Sequence, residues 1–507
     1  MPDDESTSLL PSPSSAIPAV HGGQQDEADS FALRRRQRVT VLIFILIIFV
    51  NIPSLLQGGA QVQIFEDIYC DKYYHDNPSL AERHDGRSCK VDQVQANIAF
   101  LRGWRSFFNF LPGVMLCVPY GMLADRVGRK WILVMNQIAI NLGSLWVYLI
   151  CSFPDALPLR LIWLEGIVGL FGGGNIVATA LIFVIISDVT PVAQTAVTFF
   201  RLGAASYLCF LISYSIAGKL MDLGVWLPYS IGLCSNLLTI PLTLALPETL
   251  RASRKSESRQ TCHASSSTIS DFGHQQQDEA PDGVTVEVTS SAKVLIRTFR
   301  SIAADFGFLQ DPRILFLALS YPIREALNNL DELYFQYVPK RFGWTIARTN
   351  YIYAFQAAVA VMVLLVFLPG ASSCIIRHFK FTTTQKDIFF ARSGVCAYAL
   401  GTLLVAVAPN TQVLFLAIAI QTCGSGMGGA TRALVTNLVE PNQVARLYSL
   451  LGLVEAVSLM LSSPIEATLF NLGMKHESSL WLGLPWFLMS ICLSMLAIAF
   501  WAVRLTR

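Results

Sequence analysis

Long apolar runs broken by short polar stretches constrain this chain more than any other feature. A bilayer hydrocarbon core about 30 Å thick asks for roughly 20 apolar residues per helix, and about twelve runs of that kind can be read here. They are Val39–Gln57, Ile98–Met122, Trp131–Cys151, Leu157–Ile186, Phe199–Leu220 and Trp226–Leu246, then Ile314–Val338, Tyr351–Leu368, Ile388–Ala408, Val413–Val439, Leu447–Phe470 and Leu480–Val503. Composition fits: only 14% of the 507 residues are charged and the mean hydropathy is +0.49, whereas soluble domains carry about a quarter charged residues. An all-α membrane protein is expected. The net charge of +2 and the lack of a basic, aromatic-interleaved patch give no reason to expect a nucleic-acid partner.

Lys and Arg fix the expected orientation. Arg34, Arg35, Arg36 and Arg38 precede the first run, and Arg126, Arg129 and Lys130 follow the second. Arg251, Arg254, Lys255 and Arg259 follow the sixth, Arg377, Lys380 and Lys386 the eighth, and Arg504 and Arg507 end the chain. All of these fall on one side if both termini are cytoplasmic. The chain then divides into a polar, disordered tail (1–38), a six-helix unit (39–246), a cytoplasmic linker (247–313) and a second six-helix unit (314–507). Within the linker, Leu295, Phe299, Ile302, Phe306 and Leu309 form an apolar stripe, as in an amphipathic helix lying either on the headgroups or against the body. The first run is expected to serve as the targeting signal. The plasma membrane is the expected location, with the vacuolar membrane as the alternative; Glu5 to Leu10 has the pattern of an acidic dileucine signal, which chance explains better.

Cys70 and Cys89 share the long stretch between the first two runs, on the exocytoplasmic side, and are expected to form a disulfide. Cys117, Cys151, Cys209, Cys234, Cys396, Cys423 and Cys492 lie inside apolar runs and read as small buried hydrophobes. No CxxC or HExxH occurs, so neither a metal nor a cofactor is expected, and no phosphate-binding Gly-x-x-x-x-Gly-Lys-Ser/Thr loop points to an ATP-driven pump. No nucleophile–base constellation suggests an enzyme.

The turn after the second run reads Gly121-Met-Leu-Ala-Asp125-Arg126-Val-Gly128-Arg129-Lys130. Gly121 would let a helix end pack closely, Gly128 would permit positive φ, and Asp125 could cap the next helix or pair with a neighbouring cation. This stretch closely resembles the G-x-L-a-D-r-x-G-r-[RK] loop of the major facilitator superfamily of transporters. The resemblance implies two six-helix halves that alternate access to a central site, with this loop acting as a conformational switch. A repeat agrees with it. Gly172-Gly-Gly leads to Pro191 and Gly424-Ser-Gly leads to Pro441, and both Gly174/Gly424 and Pro191/Pro441 are offset by 250 (441 − 191 = 250). The second copy of the loop, Gly370 to Lys380, has lost the acidic residue and the second glycine, and the fourth run lacks the Arg-x-x-x-Gly of many proton-driven drug antiporters. More finely, the long first outer loop and the charges of the seventh run look like the fungal general-transporter group, distantly related to proton-coupled folate carriers.

Charge inside the hydrocarbon costs about 3 kcal/mol per group on insertion scales and calls for a partner or a polar cavity. Arg324 and Glu325 lie roughly 15–17 Å along the seventh helix. Glu325, Asn328, Asn329 and Glu332 follow at i, i+3, i+4 and i+7, as one polar face lining the central cavity. With Glu165 and Glu455 at similar depth, these residues and Arg324 are the candidate substrate or proton site, and Glu325 is expected to carry or gate the coupling proton. Arg432 and Arg201, with Glu440, are expected to form inter-half salt bridges at an inner gate. Gln356 and Gln421 are lesser candidates for cavity hydrogen bonds. Arg102, Arg105 and Asp331 are expected at the outer interface. The expected activity is secondary active transport of small organic solutes by a monomer, coupled to protons, with export of drugs or metabolites ahead of uptake of an anionic nutrient. A non-transporting receptor of the same architecture is the competing class.

Overall fold

The computed structural model describes residues 21–78, 88–190, 192–248, 312–439, 444–476 and 480–502. The linker stripe from Leu295 to Leu309, the acidic tail start and Glu440 lie outside them. Among the described residues, eleven helical stretches are long and apolar enough to cross a membrane. They are α1 (Gln37–Asp76), α2 (Asp92–Val127), α3 (Arg129–Ser152), α4 (Leu159–Val189), α5 (within Val192–Leu223), α6 (Trp226–Ala245), α8 (Ile346–His378), α9 (Thr383–Val407), α10 (within Thr411–Leu438), α11 (within Val444–Met474) and α12 (Trp481–Ala502). Between α6 and α8 comes α7, built from Pro312–Leu330, a 3-10 turn at Asp331–Leu333 and Tyr334–Phe342. Its four central charges, Arg324, Glu325, Asp331 and Glu332, are what keep it from reading as a simple apolar span. The protein is all-α and multi-pass.

Short turns make successive segments antiparallel, so the helix ends gather at two poles. One pole holds the Asp125–Lys130 turn; the other holds the Cys70–Cys89 disulfide. The expected long outer loop is mostly helix. α1 continues to Asp76 and α2 begins at Asp92, so Cys70 sits on α1 and Cys89 in the turn before α2. Tyr74 Oη donates to Ser88 O across the same gap at 3.1 Å.

The glycine repeat appears as a break in two equivalent helices. α4 is interrupted at 171–173, where Gly173 has φ +76°, and α10 at 424–425. Each break lies against the preceding helix: Asn136 on α3 donates to Gly172 O at 2.5 Å and Gly174 O at 2.8 Å, while Gly424 packs on Gly394 and Tyr398 of α9.

The buried apolar side chains form two clusters. One, at the turn pole, draws only on α1–α6 and the residue just after α6: Val39, Leu46, Leu133, Ile182 and Leu246 are among its members. The other spans both groups of helices, from Phe65 and Ile98 to Tyr334 and Trp486. Bonds joining the two groups gather at the disulfide pole. Gln336 on α7 donates to Gln95 O at 3.2 Å, Lys340 pairs with Asp92, Asn471 on α11 donates to Ala96 O at 3.4 Å, and Tyr214 stacks on Tyr353 with centroids 4.9 Å apart. Cys151 and Cys209 are buried as expected, but Cys234, Cys396, Cys423 and Cys492 are exposed on outer helix faces. An apolar run faces lipid on one side, so an apolar setting alone does not bury a thiol.

Candidate functional site

Four charges meet on the turn-pole half of the second group. Arg324 Nη2 lies 2.5 Å from Glu325 Oε1 and 2.9 Å from Glu455 Oε1, and Arg432 Nη2 lies 3.1 Å from that same oxygen. Asn328 Nδ2 donates to Glu325 Oε2 at 3.3 Å. The cluster joins α7, α10 and α11 and holds two cations against two carboxylates. Glycine makes room for it, since a Cβ on Gly428 would stand 2.6 Å from Arg324 Nη1. Asn328 is exposed and Arg432 is 49% exposed. The cluster is therefore only partly covered by its own helices. Arg432 thus belongs to this cluster within one group and does not bridge the two. Arg201 is exposed and makes no ion pair with a described residue, so it shares nothing with Arg432 here.

A second ion pair lies in the first group. Arg105 Nε is 2.8 Å and Nη2 3.4 Å from the Glu165 oxygens, Asn109 donates to Glu165 Oε2 at 3.3 Å, and Gln61 accepts from Arg105. Arg105 does not reach the outer interface, because Glu165 on α4 faces α2 and supplies a partner. Gly166 beside it packs on the α2 backbone at Phe108. The cation that the fourth run lacks comes instead from the second.

The single polar face expected along α7 splits in two. The 3-10 turn at Asp331–Leu333 breaks the i+7 register, and Glu332 pairs with Arg102 of α2 at 3.2 Å. Asn329 is buried and lines no cavity; it donates to Ser463 Oγ and to Glu466 Oε2, both at 2.8 Å. Asp331 is also buried, not at the interface: Gln356 donates to its Oδ2 at 2.7 Å and Gln421 to its Oδ1 at 3.1 Å. Those glutamines therefore serve Asp331 and not the cavity. Glu466 was not singled out from the sequence. A signal existed in Glu455, Ser462, Ser463 and Glu466, a polar stripe at helical spacing along α11.

The Asp125 turn is built as a junction. Gly128 has φ +121°, as a turn between two nearly continuous helices requires. Arg129 pairs with Asp125 at 3.3 Å and with Asp188 at the end of α4. Glu248, just after α6, accepts from the backbone N–H of Arg129 at 3.2 Å and of Lys130 at 3.3 Å, satisfying donors at the positive end of α3. Asp125 thus pairs with Arg129, and Glu248 does the capping. Lys130 Nζ lies 5.6 Å from the Trp131 ring centroid. Arg126 is exposed, and Gly121 has nothing near it, so close packing is not its role. A separate cavity of about 460 Å³ opens at the disulfide pole among the ends of α1, α2 and α4, with Lys72, Asp76 and Arg160 in its wall. Among the described residues no His, Cys, Asp and Glu side chains are grouped to hold a metal.

No protein-family model matches the chain. It is 26% identical over 498 residues to the MFS efflux pump atnC of Emericella nidulans, covering 96% of this chain and 90% of that protein. It is 24% identical over 439 residues to the efflux pump ustT of Aspergillus flavus, covering 86% and 83%. A solved structure of a variant of the nucleoside transporter NupG superposes with a TM-score of 0.60 at 11% identity, covering 92% of this chain and 99% of that one. The finer likeness to folate carriers gains no support from these relatives. The Asp125 turn and relatives matched over most of the chain liken it to transporters of the major facilitator superfamily, and the solved structure shares its fold.

Proposed function

We propose that the protein exports small organic solutes in exchange for protons, by alternating access between residues 39–246 and 314–507. The observation that carries this reading is the balanced cluster Arg324–Glu325–Glu455–Arg432. It is partly exposed at mid-depth, while the contacts joining the two groups of helices gather at the opposite pole. A site open toward one pole and closed toward the other is one half of an alternating cycle. The positive charges put the turn pole in the cytoplasm, so this state is open to the inside, where an exporter loads its cargo. The relatives named as efflux pumps favour the same direction. The cluster and the Arg105–Glu165 pair face the cargo, and the Asp125 turn switches between states. Because Arg324 and Arg432 are matched by Glu325 and Glu455, the site offers no surplus cation to draw in an anionic nutrient. A neutral or weakly polar solute that breaks and reforms these pairs fits it better.

The test is purified protein in vesicles with an acidic interior, offered a library of fungal metabolites from outside. Accumulation of some solute that collapses when the pH gradient is dissipated is expected. Binding without flux would identify a receptor, and flux indifferent to the gradient would leave facilitated diffusion.

A further inference from the structure

We propose that Glu466 binds the proton that permits the disulfide pole to close. The proposal deepens the alternating-access reading and rests on it. Glu466 is 5% exposed, and no cation pairs with it among the described residues. Its Oε2 accepts from the neutral Asn329 amide at 2.8 Å, and its Oε1 is buried without a hydrogen-bond partner. Glu325 and Asp331, both on α7, are differently placed. Glu325 is held by a guanidinium at 2.5 Å, and both oxygens of Asp331 accept amide hydrogen bonds.

Every charged group that acts on Glu466 is unfavourable or already engaged. Asp331 and Glu332 on α7 add negative charge, and Arg102 on facing α2 is bonded to Glu332. On α12 the only titratable side chain is Cys492, which is exposed. An anion sealed in this setting would lack a countercharge, whereas an uncharged carboxyl keeps the Asn329 bond at Oε2 and carries its proton on Oε1, beside the Ser462 hydroxyl.

Position ties the group to conformational change. The next residue, Ala467, lies in a close seam between α2 and α11: a Cβ on Gly103 would stand 2.8 Å from Ala467 Cβ and 3.0 Å from Ser463 O. Opening the disulfide pole must part this seam, and water then reaches Glu466. Closure buries it again, which the charged form resists. The closed state is therefore favoured at low pH and loses ground as pH rises.

The experiment uses the full chain in nanodiscs, with spin labels on Asn97 and Lys475 at the outer ends of α2 and α11 and the remaining exposed cysteines replaced. The closed-to-open ratio should fall with rising pH by up to about tenfold per unit, the limit for one proton. Glu466→Gln, which keeps an amide-bonding group of the same shape, should stay closed at every pH. Glu466→Asp should keep a pH dependence, and Glu325→Gln should keep that of the wild type. A Glu466→Gln protein that still opens with pH, or a Glu325→Gln protein that no longer does, overturns the proposal. So does a wild-type seam insensitive to pH in protein that shows gradient-driven flux in vesicles. Absence of such flux alongside a pH-dependent seam supports Glu466 as the proton site and refutes the export reading instead.

Discussion

α7 carries acids in two settings that lie close together along one helix. On its turn side, Glu325 sits among two arginines and a second carboxylate, in a cluster where Arg432 is about half exposed. On its disulfide side, Asp331 and the Asn329–Glu466 pair are buried among amides and hydroxyls with no cation. The first setting is electrically balanced without protons. The second is uncharged only when protonated, or satisfied only by hydrogen bonds. Density of charge in the sequence points to the first region; the absence of countercharge in the second is visible only in three dimensions.

The largest expected effect comes from unbalancing the first region. Arg324→Met leaves Glu325 and Glu455 without their shared partner and should cost about 3–5 kcal/mol. Thermal unfolding in detergent reads this, and adding Glu455→Gln should recover part of the loss. A single mutant that melts like the wild type would mean the cluster is fully solvated and the contrast with Asp331 and Glu466 is false.

Forcing the seam beside the second region comes next. Gly103→Val pushes methyls into Ala467 and the Ser463 carbonyl, and overpacking of this kind costs about 1–3 kcal/mol. Labelling of a cysteine placed at Asn471 by a membrane-impermeant reagent should rise, because the closed pole is disfavoured. Unchanged labelling would show that the seam can absorb the added bulk.

Asp331→Asn tests whether the two cation-free acids differ from each other. Asparagine keeps one acceptor for Gln356 or Gln421 and turns the other bond into a clash of donors, a loss of about 1–3 kcal/mol. Melting should fall while the pH dependence of flux survives. Loss of pH dependence would move the proton from Glu466 to Asp331. The smallest stability effect belongs to the Asp125–Arg129 pair, where Asp125 is 63% exposed. Asp125→Asn should leave surface abundance nearly unchanged, since exposed pairs contribute about 0–1 kcal/mol, yet it should cut flux strongly. Wild-type flux would reduce the turn to a topological signal.

Legibility from the sequence follows what each feature depends on. Helix number, the Asp125 turn and the α4/α10 repeat depend on runs and local spacing, and these are read directly. The disulfide pairing of Cys70 with Cys89 is legible too, although its setting is not: residues 58–76 are helical although polar groups interrupt them, because α1 continues through Glu66, which pairs with Lys90 at 2.6 Å. The candidate site is read in part. Arg324, Glu325 and Glu455 come together because depth along each helix already aligns them. Arg105 finding Glu165, and Asn329 turning from Glu325 toward Glu466, depend on which helix faces which and on one 3-10 turn. Helical periodicity along a single segment does not contain that information.

The length of α1 has a mechanical consequence. Its 40 residues from Gln37 to Asp76 span about 60 Å at 1.5 Å per residue, roughly twice the hydrocarbon thickness. Phe65 still packs in the core shared by both groups, and the turns beyond it are tied to α2 by Cys70–Cys89, so both ends of the helix move with the first group. Tilting a helix about 60 Å long by about 10° about its middle moves its end by about 5 Å. Rocking too slight to see inside the membrane is magnified at Tyr73 and Tyr74, which makes that end the natural place to watch the transporter turn over.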